Sequence, residues 1–235
     1  MRNTFTFGGV TSSDHGVFIS GQGVFNAPPR QYNMISVPGR DGDLVGVEKR
    51  FANIDVKYPA FISANFKTNM AGIRNALLAQ VGYQELTDTY HPDEYRLAVY
   101  KGGIDADVRT RNDAATFDIV FNCKPQRFLT SGKTVTTVTS GSSLNNPTLF
   151  ASKPVIKVTG YGQLTVNGDV ITIANTFAYV TIDCELMDCY HGTDNANEQV
   201  SFSSNDFPVL RPGTNTFSFT NTITKVEVTP RWWRI

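Results

Sequence analysis

One stretch of this chain has the apolar spacing of a helix, whereas the other patterned stretches alternate as strands do. Its apolar residues lie four, three, four and four positions apart, which places them on one stripe of a helix. They are Phe66, Met70, Ile73, Leu77 and Val81. Asn65 can cap the start of this helix and Gly82 can end it in a left-handed turn. We expect the stripe to cover a sheet.

The strand pattern recurs on both sides of this helix. Residues 51–62 and 115–123 alternate between apolar and polar side chains, as half-buried strands require. Asn167 and Gly168 are the strongest short hairpin signal, because both turn positions tolerate positive φ. The sequence therefore predicts a mainly β protein with a single helix.

Residues 121–128, FNCKPQRF, form the joint between two halves of the chain. Pro125 has no amide hydrogen for a strand ladder, so a central strand should stop near it. Residues 131–146 are polar and have short side chains, which suits an exposed connection between two bodies. We therefore predict domains at 1–130 and 147–235 joined by a linker at 131–146. A long hairpin within one domain is the alternative.

Composition limits the partners of the chain. Of 235 residues, 40% are hydrophobic and 18% are charged, which indicates a globular protein. Lys plus Arg equals Asp plus Glu at 21 each, so the basic surface that phosphate binding needs is not expected. We predict no nucleic-acid partner. We also expect no membrane span and no signal peptide, because no apolar run is long enough for a span and the N-terminus has no apolar core segment.

The candidate chemical groups match no known catalytic or metal motif. Cys184 and Cys189 lie five apart, which fits no common zinc or redox spacing, and Cys123 falls on the apolar face of its strand. We expect all three to be buried free thiols. His91 lies among carboxylates, but no motif supplies a nucleophile or metal partner. The sequence thus predicts no enzyme, no metal and no cofactor.

Two other features favour binding between proteins. Pro38, Gly39, Arg40, Asp41 and Gly42 combine two turn dipeptides, so they predict a shaped loop and a candidate subunit interface. Arg40 pairs with a carboxylate across a subunit boundary in one interpretation and is a solvated loop residue in the other.

The second feature is the C-terminal pair Trp232 and Trp233. Each tryptophan can bury up to roughly 250 Å². We expect this tail to dock into the protein's own body or a neighbouring subunit. Stacking against a sugar ring is the alternative.

Several short motifs, taken in order, resemble the distal tail proteins of siphophages, the bacteriophages with long non-contractile tails, here of Gram-positive hosts. The motifs are VPGRDG at 37–42, the helix at 66–81, GYQELTDTYHPDEYR at 82–96, FNCKPQRF at 121–128, IDCE at 182–185, FPVL at 207–210, PGTN at 212–215 and PRWWRI at 230–235. The resemblance covers essentially the whole chain and includes no inserted domain.

The resemblance implies a fold and a role. It implies an N-terminal tail-tube-like β-sandwich with one helix and a C-terminal β-sandwich similar to galectins and carbohydrate-binding modules. It also implies a hexameric ring in the virion tail tip, made in the host cytoplasm, that joins the tail tube to the baseplate and adhesion devices. The expected partners are other copies of the chain, the major tail tube protein, a tail-associated tip protein and a receptor-binding protein or host surface glycan. A carbohydrate-binding receptor module is the alternative function.

Overall fold

The chain forms two compact units, each with its own core. The computed structural model describes residues 2–21, 23, 25–109 and 113–235. The first unit ends at Arg127 and the second is Phe128–Arg234. Strands dominate both units, and the described residues contain a single α-helix. The predicted fold class, mainly β with one helix, is confirmed.

The first unit contains one large sheet and a separate two-stranded ribbon. Its strands are β1 (Phe5–Phe7), β2 (Val10–Thr11), β3 (Val17–Ile19), β4 (Arg30–Ile35), β5 (Leu44–Phe51), β6 (Ile54–Ile62), β7 (Gln84–Asp88), β8 (Glu94–Tyr100), β9 (Ala106–Arg109) and β10 (Ala114–Cys123). Its helices are the 3₁₀ turn Ser12–His15 and α1 (Phe66–Leu78). The large sheet has the order β2-β1-β7-β8-β10-β6-β3, and β9 pairs with β10. Among the residues that the structure describes, β4 and β5 pair only with each other.

The large sheet curls so that strands distant in its order share one core. Phe5 of β1 stacks on Tyr58 of β6 with ring centroids 5.8 Å apart, although β7, β8 and β10 lie between those strands. The ring centroids of Phe7 and Phe121 of β10 lie 4.9 Å apart. Side chains of the predicted strand 115–123 alternate between buried and exposed positions, as its sequence pattern indicated. Aromatic rings therefore fill the concave side of the sheet.

The helix forms where it was predicted but is shorter. Met70, Ile73 and Leu77 are buried against the sheet. α1 ends at Leu78, however, and Val81 is 84% exposed because the chain already turns toward β7 there. Asn65 occupies the N-cap position with φ +54° but makes no capping bond with its side chain. Asp113 binds the first turn instead, since its Oδ1 accepts from the Asn65 amide at 2.7 Å.

The second unit consists of two sheets around one core. The strands from the unit boundary onward are β11 (Arg127–Leu129), β12 (Thr136–Val138), β13 (Ser143–Asn146), β14 (Val155–Gly160), β15 (Gly162–Val166), β16 (Asp169–Ile173), β17 (Tyr179–Asp183), β18 (Asp188–His191), β19 (Asp194–Asn195), β20 (Val200–Phe202), β21 (Gly213–Phe219), β22 (Ile223–Thr229) and β23 (Trp233–Arg234). Short 3₁₀ turns lie at Thr130–Lys133 and Asn197–Gln199. One sheet has the order β12-β22-β14-β17-β18-β19 and the other β13-β21-β15-β16-β20.

The two sheets of the second unit share their apolar faces. Val158 and Val226 come from the first sheet and Leu164 and Phe217 from the second, and all four belong to one buried cluster. The predicted hairpin at Asn167 and Gly168 joins β15 to β16, with φ of +52° and +95° at its two turn residues. Across the described residues, no helix is long and apolar enough to cross a membrane.

The predicted linker at 131–146 is wrong, because this segment is part of the second unit. β12 pairs with β22 and β13 pairs with β21. Val138 and Asn146 are buried. A Cβ atom at Gly132 would lie 2.4 Å from the Trp232 amide nitrogen, so that glycine permits a close approach of two backbones. The segment is polar because its strands each have one solvated face. Its glycines lie in turns or at close contacts.

Candidate assembly surfaces

The predicted interface loop forms the tip of the ribbon β4–β5. Pro38 and Gly39 are the two central residues of a tight turn, in which the Arg40 amide donates to the Val37 carbonyl at 3.2 Å. Gly39 has φ +79°, the value that a type II turn requires at its third position. The turn therefore presents Arg40 at a defined place on an exposed loop.

Each residue of the predicted interface loop is exposed. A second glycine, Gly42, also has positive φ at +78°, and a Cβ at either glycine would meet no atom within 4 Å. Asp41 and Asp43 are exposed beside Arg40. No structural fact about these residues tests the subunit-interface role, which stays a prediction.

The strands of the ribbon carry apolar side chains that the sequence reasoning did not assign to a surface. Tyr32, Met34 and Ile35 of β4 and Leu44 and Val45 of β5 are between 41% and 56% exposed. The sequence did not predict β5, because Glu48, Lys49 and Arg50 interrupt its alternation. The run LVGV at 44–47 after the Asp-Gly turn was the available signal for a hairpin partner.

A buried polar cluster lies on the core side of the first unit. Asp88 is at its centre: Oδ2 accepts from the Tyr58 hydroxyl at 2.6 Å, and Oδ1 accepts from the amides of Tyr90 and His91 at 2.9 Å each. His91 Nδ1 lies 3.2 Å from the same Oδ1. Burial, and then the neighbouring Asp88 carboxylate, raise the pKa of Tyr58 well above its ordinary value.

Two arginines complete this cluster. Arg96 Nη2 donates to Asn26 Oδ1 at 3.2 Å, and Arg127 Nη1 lies 3.6 Å from the buried Glu94 carboxylate. Burial, followed by the charge of Arg127, lowers the pKa of Arg96. His91 Nε2 and Arg96 Nη1 are buried and have no hydrogen-bond partner among the described protein atoms. The cavity they line has a volume of about 10 Å³, which suits one water molecule and no substrate.

The C-terminal tryptophans lie against the second unit. Trp232 is 5% exposed and belongs to its apolar core. The Leu129 amide donates to the Trp232 carbonyl at 2.8 Å, which ties the tail to β11. Trp233 is half-buried, stacks on Phe150 at 4.5 Å and donates from Nε1 to the Ala151 carbonyl at 3.0 Å. Both tryptophan side chains, including the indole nitrogen of Trp233, therefore have contacts within the second unit.

An ion pair holds the chain just before these tryptophans. Arg231, at φ +54°, donates from Nη1 and Nη2 to the two carboxylate oxygens of Asp183 at 2.7 and 2.9 Å. Burial alone raises the pKa of Asp183, but the hydrogen bonds from Arg231, Leu186 and Glu185 and the Arg231 charge together lower it below its ordinary value. Such bidentate pairs fix side-chain orientation.

The three cysteines are buried free thiols, as predicted. Burial raises the pKa of each of Cys123, Cys184 and Cys189 to about 12, so all three are thiols at neutral pH. Among the described residues, no group of three or more His, Cys, Asp or Glu side chains is arranged to hold a metal ion.

The two-unit arrangement, with a one-helix curled sheet before a two-sheet unit, is similar in fold to two solved structures of phage tail proteins. No protein-family model and no curated protein sequence matches the chain. The fold is similar to the SPP1 Dit (gp 19.1) protein, described as a paradigm of the hub adsorption apparatus in phages that infect Gram-positive bacteria. That likeness covers 100% of both chains at a TM-score of 0.74 and 13% identity. A chain of the phage p2 baseplate, in its activated conformation with Sr, is similar over 97% of this chain and 96% of its own, at a TM-score of 0.52 and 9% identity.

Proposed function

We propose that the chain is a structural subunit of a phage tail tip, in which six copies form the hub that joins the tail tube to the baseplate and adhesion devices. The observation that carries the proposal is the full-length likeness to a hub protein: both units match in their chain order, over 100% of each chain. A likeness limited to one unit would describe only a common β architecture.

The proposed partners follow from this role. A hub between tube and tip binds other copies of itself, the major tail tube protein and a tail-associated tip protein. A receptor-binding protein or host surface glycan is the further partner on the adhesion side. We place the subunit interface in the first unit, at the loop Pro38, Gly39, Arg40, Asp41 and Gly42, and the finished protein in the virion.

The proposed role is not enzymatic. The cluster of Tyr58, Asp88 and His91 has the residue types of acid–base chemistry, but its cavity of about 10 Å³ leaves no room for a substrate. Its hydrogen bonds instead tie the loop after β7 to the sheet. We infer that these groups stabilise the first unit.

Carbohydrate binding by the second unit is the second candidate. A groove of about 290 Å³ on its six-stranded sheet is lined in part by Lys157, Thr181 and Glu227, side chains that can bind sugar hydroxyls. None of the residues that line it is aromatic, so a sugar ring would lack a stacking partner there. Binding on a glycan array that is lost in Lys157→Ala would favour this candidate.

Mass measurement and imaging of the purified chain test the hub proposal. Six copies of 25.9 kDa amount to about 155 kDa. We expect light scattering to give that mass and negative-stain images to show six-fold rings. A chain that remains at the mass of one copy across the micromolar range, and forms no ring with purified tube protein, would refute the proposal.

A further inference from the structure

Two side chains that line one small cavity of the first unit each have a buried polar atom that the protein does not satisfy. Arg96 is 8% exposed, and its Nη1 has no hydrogen-bond partner among the described protein atoms. The same holds for Nε2 of His91, whose side chain is 17% exposed. Both residues line the cavity of about 10 Å³. Buried polar groups of folded proteins nearly always have a partner, so we expect these two atoms to share a ligand in the cavity.

The hydrogen bonds of the cluster determine what these two atoms require. His91 Nδ1 lies 3.2 Å from Asp88 Oδ1, and a carboxylate oxygen only accepts. In a neutral imidazole, Nδ1 therefore carries the proton and Nε2 is an acceptor. Arg96 Nη1 only donates. The ligand must therefore accept from Arg96 and donate to His91.

The size and charge of the cavity favour one water molecule over an ion. Its volume is about that of a single water-sized sphere. Two arginines, Arg96 and Arg127, and two carboxylates, Asp88 and Glu94, line it, so its charges balance. A chloride or a metal ion would add a buried charge without a counter-ion. Water also donates and accepts at once, which neither kind of ion can do.

The same two side chains hold the segment between β3 and β4. We call residues 20–29 the strap, which the structure describes at 20, 21, 23 and 25–29. The ring of Phe25 lies edge-on to the His91 ring, with centroids 5.1 Å apart. Arg96 Nη2 donates to Asn26 Oδ1 at 3.2 Å. His91 and Arg96 therefore each line the cavity and also contact the strap.

Further contacts hold the strap at the same place. Arg127 Nη2 donates to the Asn26 carbonyl at 3.2 Å, and Asn26 Nδ2 donates to the Asp55 carbonyl at 2.9 Å. A Cβ atom at Gly23 would lie 3.1 Å from His91 Cε1, so the strap backbone passes close to the imidazole. The buried cluster thus binds the strap through several of its side chains.

We propose that the cavity binds one water molecule that joins Arg96 Nη1 to His91 Nε2, and that this bridge latches the strap to the sheet. The water accepts from Arg96 and donates to His91, so it holds both side chains in the positions that contact Phe25 and Asn26. A bridging water contributes nearly as much enthalpy as a direct hydrogen bond. The latch lies within one chain, so it does not depend on the proposed hub function.

A crystal structure of the full-length chain grown in sodium bromide tests the ligand. Bromide would replace a bound chloride and scatters anomalously, whereas water gives no anomalous signal. We expect one density peak within about 3.2 Å of both Arg96 Nη1 and His91 Nε2, without an anomalous peak. A bromide peak would identify a halide site, and a cavity without density would be dry. Either result would overturn the water site.

His91→Phe tests the latch, because it keeps an aromatic ring beside Phe25 but removes both ring nitrogens. The matched control is His191→Phe in the second unit. His191 also stacks on an aromatic ring, Phe177 at 4.9 Å, and its Nδ1 lies 2.8 Å from the Tyr179 carbonyl oxygen. Circular dichroism checks the fold of each full-length variant. Chymotrypsin, which cuts after aromatic residues, then probes the strap at Phe25, which is 79% exposed.

We expect chymotrypsin to cut after Phe25 at least about tenfold faster in His91→Phe than in wild type, because the strap opens more often. The control should be cut there at the wild-type rate. A folded His91→Phe chain that is cut no faster than wild type would overturn the latch.

A second variant decides the matter if His91→Phe does not fold. Asn26→Ala removes the strap's acceptor for Arg96 but leaves every residue that lines the cavity. We expect faster cutting after Phe25, while the crystal structure of this variant keeps the water peak. An unchanged rate of cutting in Asn26→Ala would likewise refute the latch.

Discussion

The two units of this chain differ in how they treat their apolar side chains. The second unit buries its own C-terminal Trp232 and gives Trp233 a stacking partner in Phe150. The first unit leaves apolar side chains exposed on both faces of the ribbon near its tip, including Met34 and Leu44. The C-terminal tail of the second unit is therefore covered within that unit, whereas the ribbon tip of the first unit is exposed on both faces.

Buried charge shows a similar contrast. In the second unit, both oxygens of Asp183 accept from Arg231, and Oδ1 also accepts from two backbone amides. In the first unit, His91 Nε2 and Arg96 Nη1 have no hydrogen-bond partner among the described protein atoms, and they line a cavity that suits one water molecule. The second unit thus pairs its buried carboxylate entirely with protein donors.

The largest effect should come from separating the two units. We expect residues 1–127 to assemble as the full chain does and residues 128–235 to remain a single copy, because the exposed ribbon belongs to the first unit. Light scattering of the two fragments gives the answer. Assembly of 128–235 alone, with 1–127 folded but monomeric, would reverse the roles that we assign to the two units.

A smaller effect should distinguish the two tryptophans. Trp232→Ala empties a buried site and should lower the free energy of unfolding of the second unit by about 4 kcal/mol. Trp233→Ala removes the partly exposed stack on Phe150 and should lower the free energy of unfolding by about 1 kcal/mol. Guanidinium unfolding of the 128–235 fragment measures both. Equal losses would mean that the tail does not dock as an ordered segment.

The last comparison concerns two ion pairs, one buried and one exposed. Arg231→Gln should lower the free energy of unfolding of the second unit by about 2 kcal/mol at pH 7, because it leaves the buried Asp183 carboxylate with weaker hydrogen-bond donors. In the first unit, Lys57 Nζ lies 2.6 Å from Asp118 Oδ2 in an exposed ion pair. Lys57→Gln breaks this pair and should lower the free energy of unfolding by less than about 1 kcal/mol.

The Arg231 effect should also depend on pH. The pKa of Asp183 is lowered in the folded chain, so its contribution is present above the unfolded value of about 3.9 and is lost as pH falls through the folded pKa. Unfolding of wild type and Arg231→Gln from pH 7 to pH 3 should therefore show a difference that narrows below about pH 4. A difference that is independent of pH would contradict the assignment.

Much of the local structure was predictable, because it depends on short-range pattern. The alternation at 115–123 predicted a strand, and Asn167 with Gly168 predicted the hairpin that joins β15 to β16. The stripe from Phe66 to Leu77 predicted the helix and its buried face. Each of these features follows from side-chain period or from a backbone conformation that few residues accept.

Errors arose where distant residues decide the outcome. The polar segment 131–146 reads as a linker, yet β22 and β21 supply its hydrogen-bond partners from about eighty residues further along the chain. The helical spacing predicts that Val81, its last apolar residue, is buried. In the structure the chain has already turned toward β7, so Val81 is exposed to solvent. The ribbon could not be placed as exposed, because a strand pattern does not state what covers its two faces.

The sequence by itself determined the mainly β class, the one helix, the turn chemistry at Pro38 and Gly39, and the absence of a catalytic or metal-binding motif, since these depend on neighbours within a few residues. Only the tertiary structure decided that Trp232 completes the second core, that Tyr58, Asp88 and His91 meet, and that β4 and β5 form a sheet of their own among the described residues. The physical reason is that burial and hydrogen-bond pairing are properties of residues far apart in sequence, which period and propensity do not specify.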